Sequence, residues 1–438
     1  MPISRPATAS RGFPAVDPAC DVDAGSEIDS GGAAAGGRSA DSGRLLGLDG
    51  VRGFAALYVV VFHCWLLTFH GFPANPGPVW LGWLLYGHLA VVAFITLSGF
   101  SLALSPARNG WRLGGTARFA RRRAWRILPP YWAALVFSLM IAWAVTPQPH
   151  SGPPTGRSVV VYGLLLQDFV VAPLPNGAFW SIAVEAELYL IMPLLLLIRR
   201  RVGAVTLLAA VTVPVVAINV LFPSGSPVDK LGGLTPQFAP LFAVGLVGAG
   251  VLGAGERIRR LPWHWLAALA AAAVVLLMVV NGSVWTVRNY FWIDLAVAPA
   301  IAMLLAAVVT GRPAPLVWLL ATRPVRSLGT ISYSLYLIHL PIVVVITRKI
   351  TEPHVAPGLP AFWVTLALAV PISVLTARLF ATVFELPFQR YRSWAMLRGA
   401  ARHRWAGLRP AGRAPEPRPA VREVPNTLAG AARERPKD

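Results

Sequence analysis

The chain has 438 residues, of which 55% are hydrophobic and only 13% charged, and its mean hydropathy is +0.59. Several apolar runs reach the roughly 20 residues that cross a bilayer, which excludes a soluble globular domain; their continuity excludes a β-barrel, whose strands alternate. The net charge of +20 would suit nucleic acid, but the basic residues gather in short loops and a tail, the pattern membrane topology produces, so no nucleic-acid partner is expected.

Residues 1–43 are rich in Gly, Ala, Ser and Asp and lack an apolar core; they predict a disordered lead, not a signal peptide. A transmembrane domain at 44–390 follows, with ten predicted helices at about 50–70, 81–104, 129–146, 177–198, 203–222, 236–253, 263–280, 290–310, 328–350 and 361–385. Residues 391–438 read as a basic, proline-rich tail that suits anionic lipid. Loops after the even-numbered spans carry 16 basic residues and those on the other side 5. This asymmetry predicts a multi-pass protein of the cell membrane with both termini in the cytoplasm. Val159–Phe169 is apolar but too short to cross, which predicts a re-entrant segment or one packed on the bundle. Cys20 and Cys64 make no disulfide framework, and no metal site, phosphate-binding glycine loop or nucleophile elbow is present.

The first span holds the most informative pair. Arg52 and His63 are eleven positions apart, which places them within roughly 20° of one helix face and about 16 Å apart along the axis. Arg52 then stands at a membrane edge and His63 near the midplane, where a titratable ring is costly and points to function. The plain alternative is a ring satisfied by a neighbour on its own helix. In the second span, Ser98-Gly99-Phe100 combines a small hydroxyl with a glycine that permits close backbone approach.

At the mouth of the third span, Arg122 and Arg126 share a helix face and Arg123 borders it. Guanidinium forks match phosphate oxygens, but an anchor on lipid headgroups needs the same residues. Glu185 in the fourth span and His339 in the ninth fall near the depth of His63 at about 1.5 Å per residue. Three such groups at one level predict a polar cavity fit for acid–base chemistry, with Glu185 orienting the His63 ring or binding acceptor hydroxyls. The alternative is independent buried groups, each bonded locally. Glu187 lies about 200° round the helix from Glu185, so only one of them can face that cavity. Ser332 shares the face of His339 and suits helix contact or ligand contact equally; Glu385 and Arg390 bracket the inner end of the tenth span, where Glu385 suits a pair with an arginine at the inner mouth or, more plainly, an interfacial ion pair. His70, His88, His150 and His354 fall in no recognisable spacing.

Taken together, these stretches resemble the acyltransferase-3 family of integral membrane O-acyltransferases, from about Leu48 to Arg390. The matching residues are Leu48-Asp49-Gly50-Val51-Arg52-Gly53 with His63, and Phe94 with Leu97-Ser98-Gly99-Phe100. Further along come Arg122-Arg123 with Arg126-Ile127, Pro129 and Tyr131; then Trp180-Ser181-Ile182 with Glu185 and Leu188-Tyr189; then Ile331-Ser332-Tyr333-Ser334-Leu335-Tyr336-Leu337-Ile338-His339. Ala90, Ile95 and Leu188 depart from the pattern without removing a polar group. With no esterase-like domain after the tenth span, the chain resembles a stand-alone member.

The resemblance implies that an acyl group, acetyl first, moves from cytoplasmic acyl-CoA to a hydroxyl. Acyl-CoA is a donor substrate, and no bound cofactor is implied. The acceptor would be a sugar, a cell-surface glycan, a glycolipid or a macrolide-type natural product. His63 and Arg52 become the essential residues, with His63 as general base and Glu185 added from the cavity reading. Arg122, Arg126 and Arg123 face the CoA, and Ser98, Trp180, Tyr189, Ser332, Tyr336 and His339 are the further cavity candidates. The competing expectation is a transporter or flippase for a glycan or natural product, which also needs polar groups at the midplane.

Overall fold

The computed structural model describes residues 35–222, 235–391 and 393–399. All regular structure among them is helical, as lipid demands of a backbone that must satisfy its own hydrogen bonds. In chain order the helices are α1 (Ala35–Thr68), α2 (His88–Arg108, entered through a 3-10 turn at Val79–Tyr86), α3 (Thr116–Ala144), α4 (Gly156–Gly163), α5 (Trp180–Val202) and α6 (Ala204–Leu221). There follow α7 (Phe238–Gly248), α8 (Glu256–Arg259), α9 (Trp263–Arg288), α10 (Tyr290–Thr310), α11 (Ala314–Leu320) and α12 (Arg323–Thr330). The last are α13 (Ser332–Ile346), α14 (Glu352–His354), α15 (Leu359–Phe380) and α16 (Leu386–Arg390). The body through Arg390 is one compact unit, and a second begins at Tyr391.

Among the described residues, 9 helices are long and apolar enough to cross a membrane, against ten predicted. The difference is the sixth, a shorter apolar helix at Phe238–Gly253. Its sequence is glycine-rich at Gly245, Gly248, Gly250 and Gly253, and the α-helix gives way to a 3-10 turn at Ala249–Gly253. Each glycine costs a helix about 1 kcal/mol relative to alanine, so the regular turn is lost where they accumulate. The third helix starts earlier than predicted: α3 begins at Thr116, with Pro129 and Pro130 inside it. The arginine run is therefore carried on helix and not on a loop. Residues 35–43, assigned above to the lead, are the first turns of α1. The rest of that lead, and the tail beyond residue 399, lie outside the described residues.

The segment Val159–Phe169 packs on the bundle. Tyr131 Oη donates to the Tyr162 carbonyl at 2.7 Å and Trp132 Nε1 to the Gly163 carbonyl at 2.9 Å, so α3 satisfies the C-terminal carbonyls of α4. Burial separates centre from rim. In the most apolar stretch of each helix, 78% is buried around α13 but only 11% in α6 and 17% in α9. The site must therefore be sought around α13, while α6 and α9 present apolar side chains to lipid.

Two glycine contacts set the centre. A Cβ on Gly99 would collide with the Phe242 carbonyl, and one on Gly245 with the Thr96 carbonyl, so α2 and α7 cross backbone to backbone, as small residues allow in membranes. On the other side, Gly53 of α1 faces the Gly329 amide of α12. Because backbone cannot move aside as a side chain can, Gly99→Val is expected to destabilise by about 3 kcal/mol or more. The readout is loss of monodisperse protein in detergent, with Gly152→Val, where a Cβ meets open space, as the control. Equal recovery of both variants would show that the α2–α7 crossing is loose.

Candidate active site

Arg52 sits one turn after Asp49 on α1, and the two form an ion pair at 2.8 Å. Its other terminal nitrogen donates to Ser101 Oγ on α2 at 2.8 Å, so the guanidinium ties two helices together at the arginine-bearing end of the bundle. Three turns further along α1, His63 meets His339 of α13. His63 Nδ1 is 3.1 Å from His339 Nε2, with the ring centroids 4.9 Å apart.

The surrounding acceptors assign the protons. His339 Nδ1 faces the Tyr336 carbonyl at 2.8 Å and the Leu335 carbonyl at 3.1 Å. A carbonyl only accepts, so His339 Nδ1 carries hydrogen and its Nε2 is bare. His63 Nδ1 faces the Val59 carbonyl at 2.9 Å; it therefore carries hydrogen too, shared between Val59 and His339. The nitrogen left bare on His63 is Nε2. Each ring thus has its tautomer set by the turn of helix below it, and the pair leaves one basic nitrogen available.

Two hydrogen-bonded groups, one with a carboxylate, lie on the helices that meet the two ends. Ser98 Oγ, one turn from Ser101 on α2, lies 2.9 Å from Tyr189 Oη and donates to Glu185 Oε1 at 3.1 Å. Tyr189 Oη also donates to Glu185 Oε1. One turn back on α5, Ser181 Oγ lies 2.6 Å from Tyr336 Oη, and the Tyr336 ring is 5.8 Å from the His339 ring. The polar groups thus step from Arg52 and Ser101 to Ser98, Tyr189 and Glu185, and then to Ser181, Tyr336 and the histidine pair, with one helical turn, not a hydrogen bond, between Ser101 and Ser98 and between Glu185 and Ser181.

Several predicted site residues stand elsewhere than expected. Glu185 is bonded to Ser98 and Tyr189, and the His63 ring to Val59 and His339, so among the described residues no carboxylate is hydrogen-bonded to that imidazole. Ser332 Oγ donates to the Gly329 carbonyl at 2.8 Å, which spends it on the backbone. Trp180 turns away to His88 and Phe238, with centroids 6.1 and 5.6 Å apart. Glu385 is buried, accepting from the amide and hydroxyl of Ser334 and from Gln389 Nε2, in place of a surface pair with Arg390. Glu187 lies on a different face of α5 from Glu185, in electrostatic range of Asp168 in the loop before α5, where burial pushes the Asp168 carboxyl up to about 6.

Of the arginines, Arg123 is the one aimed inward. Its guanidinium lies over the Phe119 ring at 5.8 Å, that ring packs edge-on to Tyr189, and its charge is felt at the Tyr189 hydroxyl. Arg122 is half-buried and Arg126 exposed, with Arg126 in electrostatic range of Glu385. Among the described residues, no three His, Cys, Asp or Glu side chains are grouped as a metal ion requires. Ser101 and Ser181 were not foreseen as part of the polar line. Their signal was present, since each lies one helical turn from a residue already singled out, Ser98 and Glu185.

Residues 45–378 match the acyltransferase 3 family, described as an acyltransferase domain. A Bacillus subtilis (strain 168) protein named "Putative peptidoglycan O-acetyltransferase YrhL" is 28% identical over 378 residues, covering 80% of this chain and 56% of that protein. "Nodulation protein 10" of Rhizobium leguminosarum bv. viciae is 26% identical over 190 residues, covering 36% of this chain and 46% of that protein. The chain thus spans about half the length of these curated relatives. No solved structure matches it significantly. A family match across most of the chain agrees with the helical bundle and the motif residues gathered in it: the protein belongs to the acyltransferase 3 family of membrane acyltransferase domains.

Proposed function

We propose that the protein is a membrane O-acyltransferase that moves an acetyl group from acetyl-CoA to a hydroxyl of a cell-surface glycan, with His63 as general base. The observation that carries this reading is the His63–His339 pair, which leaves His63 Nε2 bare at the inner end of a polar line that starts at Arg52. Acetyl and a glycan acceptor are favoured by the name of the Bacillus relative. The basic loops favour a cytoplasmic position for the arginine-bearing end in the cell membrane.

In this mechanism acyl-CoA enters from that end, its phosphates held by Arg122 and Arg126 with Arg123 and Arg52 further in, and the thioester reaches toward His63. His63 Nε2 takes the proton of the acceptor hydroxyl as the oxygen attacks the thioester carbonyl. The tetrahedral intermediate collapses, the C–S bond breaks, and the departing thiolate receives the proton from His63. Through the cycle His63 Nδ1–H keeps its bonds to Val59 and His339, so the ring gains a proton without turning. Glu185, bonded to Ser98 and Tyr189, is placed to bind acceptor hydroxyls.

The test is acceptor-dependent CoA release by the purified protein in nanodiscs, supplied with acetyl-CoA and a panel of peptidoglycan fragments, glycolipids and macrolides. Release that requires an acceptor supports the reading. Neither release nor acetyl-CoA binding would move the protein to the transporter class. His339 is a positioning residue in this scheme. His339→Phe is expected to lower kcat by about 10- to 100-fold, the loss of one hydrogen bond to a ring that becomes charged. His339→Gln, whose Oε1 can accept from His63 Nδ1–H, should recover part of it. Equal loss in both variants would reduce His339 to packing.

A further inference from the structure

A second polar centre lies at the start of α2 and takes no part in the mechanism above. His88, the first residue of α2, points Nε2 at both oxygens of Asp294 on α10, at 2.8 and 3.0 Å. The Asp294 side chain is wholly buried, while the His88 side chain is 19% exposed, so the imidazole is the accessible half of the pair. Tyr290, one turn before Asp294, stacks on the His88 ring at 4.3 Å and 19°. Trp180 lies parallel on the ring at 6.1 Å and 9°.

Two features make this more than an internal ion pair. The Tyr290 hydroxyl is buried with no hydrogen-bond partner, which leaves an unmet demand that native interiors rarely tolerate. Asp294 also occupies His88 Nε2, so the ring presents Nδ1, which takes no protein hydrogen bond among the described residues. A carboxylate–imidazole pair within a membrane span is costly and normally retained for function.

Two contacts between chain neighbours link the centre to the proposed transfer site. A Cβ on Gly87 would collide with the Phe62 ring, so the residue before His88 rests on the residue before His63. On the other side, Trp180 precedes Ser181, whose hydroxyl meets Tyr336 one turn from His339. A carboxylate or phosphate ligand can only accept hydrogen bonds and an ammonium can only donate. A hydroxyl does both, and can meet Tyr290 Oη and His88 Nδ1 in either charge state of the ring.

We propose that His88, held by Asp294, and Tyr290 form a hydroxyl-binding subsite that takes one hydroxyl of a sugar-ring acceptor while another reaches His63. The flanking Trp180 and Tyr290 rings suit the apolar faces of a pyranose. This inference rests on the acyl-transfer reading only for the role of the bound sugar as acceptor.

The test is Tyr290→Phe in nanodiscs, titrated with the peptidoglycan disaccharide and with methyl pyranosides by saturation-transfer NMR. Removing an unpartnered hydroxyl should leave the melting temperature equal or raise it, so the variant reports on the ligand and not on folding. Sugar Kd should rise about five- to tenfold, one neutral hydrogen bond, and at least as far in His88→Gln. No binding of any of these sugars by the wild type, or an unchanged Kd in both variants, overturns the subsite. Acetyl transfer measured in the same samples separates the two ideas. Transfer with unchanged sugar affinity in the variants removes the subsite and keeps the reaction. Variant-sensitive binding with no transfer by the wild type keeps the sugar site and removes the reaction.

Discussion

Replacing His63 by alanine is expected to lower acyl transfer by about 10²- to 10⁴-fold, the usual contribution of a positioned acid–base group, while CoA still binds. The size follows from the geometry. His63 Nε2 is the one ring nitrogen of the pair that is both bare and unengaged among the described residues: Val59 and His339 hold the His63 Nδ1 hydrogen, the Tyr336 and Leu335 carbonyls hold that of His339, and His339 Nε2 is taken up by His63. Truncation frees His339 Nε2, but that ring is wholly buried, so the residual rate is what it could supply. His63 is also half-buried and not buried outright, so truncation leaves a small gap beside Phe62 without opening the core. The measurement is single-turnover transfer from radiolabelled acetyl-CoA, with CoA affinity as the check on folding. If the alanine variant turns over at the wild-type rate, the base lies elsewhere. Glu185, bonded to Ser98 and Tyr189, is then the next group to test.

Much of this site could be read before any coordinates. Helical periodicity put Arg52 and His63 on one face of α1, and counting residues from the membrane edge put His63 and His339 at one depth; their rings are in contact. What periodicity cannot supply is the direction of a side chain across a helix interface. Glu185 was a natural partner for His63 by depth, yet its carboxylate turns along α5 to Tyr189, one turn away, because that hydroxyl and Ser98 satisfy it locally. The pairing of His88 with Asp294 spans 206 positions, and its only sequence trace is a single acid in the otherwise uncharged run from Tyr290 to Thr310. The sixth span lies where it was expected, but not as one α-helix: its last stretch is a 3-10 turn, and hydropathy sums cannot see that four glycines loosen the helix they lie in. The family motif around Gly50 and Gly53 also gains a physical meaning that spacing alone did not reveal. These glycines let α11 and α12 press on the turn that carries Arg52.

The double variant Arg122→Ala, Arg126→Ala is expected to raise the KM for acetyl-CoA by about 10²-fold with a much smaller change in kcat. Charge-assisted hydrogen bonds to phosphate are worth about 1.5–3 kcal/mol each, and partial exposure discounts that toward the lower end. The two residues share one face of a helix that is regular from Thr116 onward, so they form a fixed pair of forks and not a mobile loop. Arg123, one position on, reaches inward over Phe119 toward Tyr189, which would continue a positive track from the entrance to the polar line. A lipid anchor would use the same charges differently. In that case the variant would lose membrane retention or orientation, and the KM of whatever protein remained would match the wild type. Salt separates the cases further: a phosphate site at the mouth should weaken steeply between low and physiological ionic strength, because exposed charges are screened within about 8–10 Å. The wild-type KM should therefore climb with salt and the variant's should be nearly flat. Identical salt dependence in the two proteins would return the cluster to the headgroups and leave Arg52 and Arg123 as the donor's remaining candidate contacts.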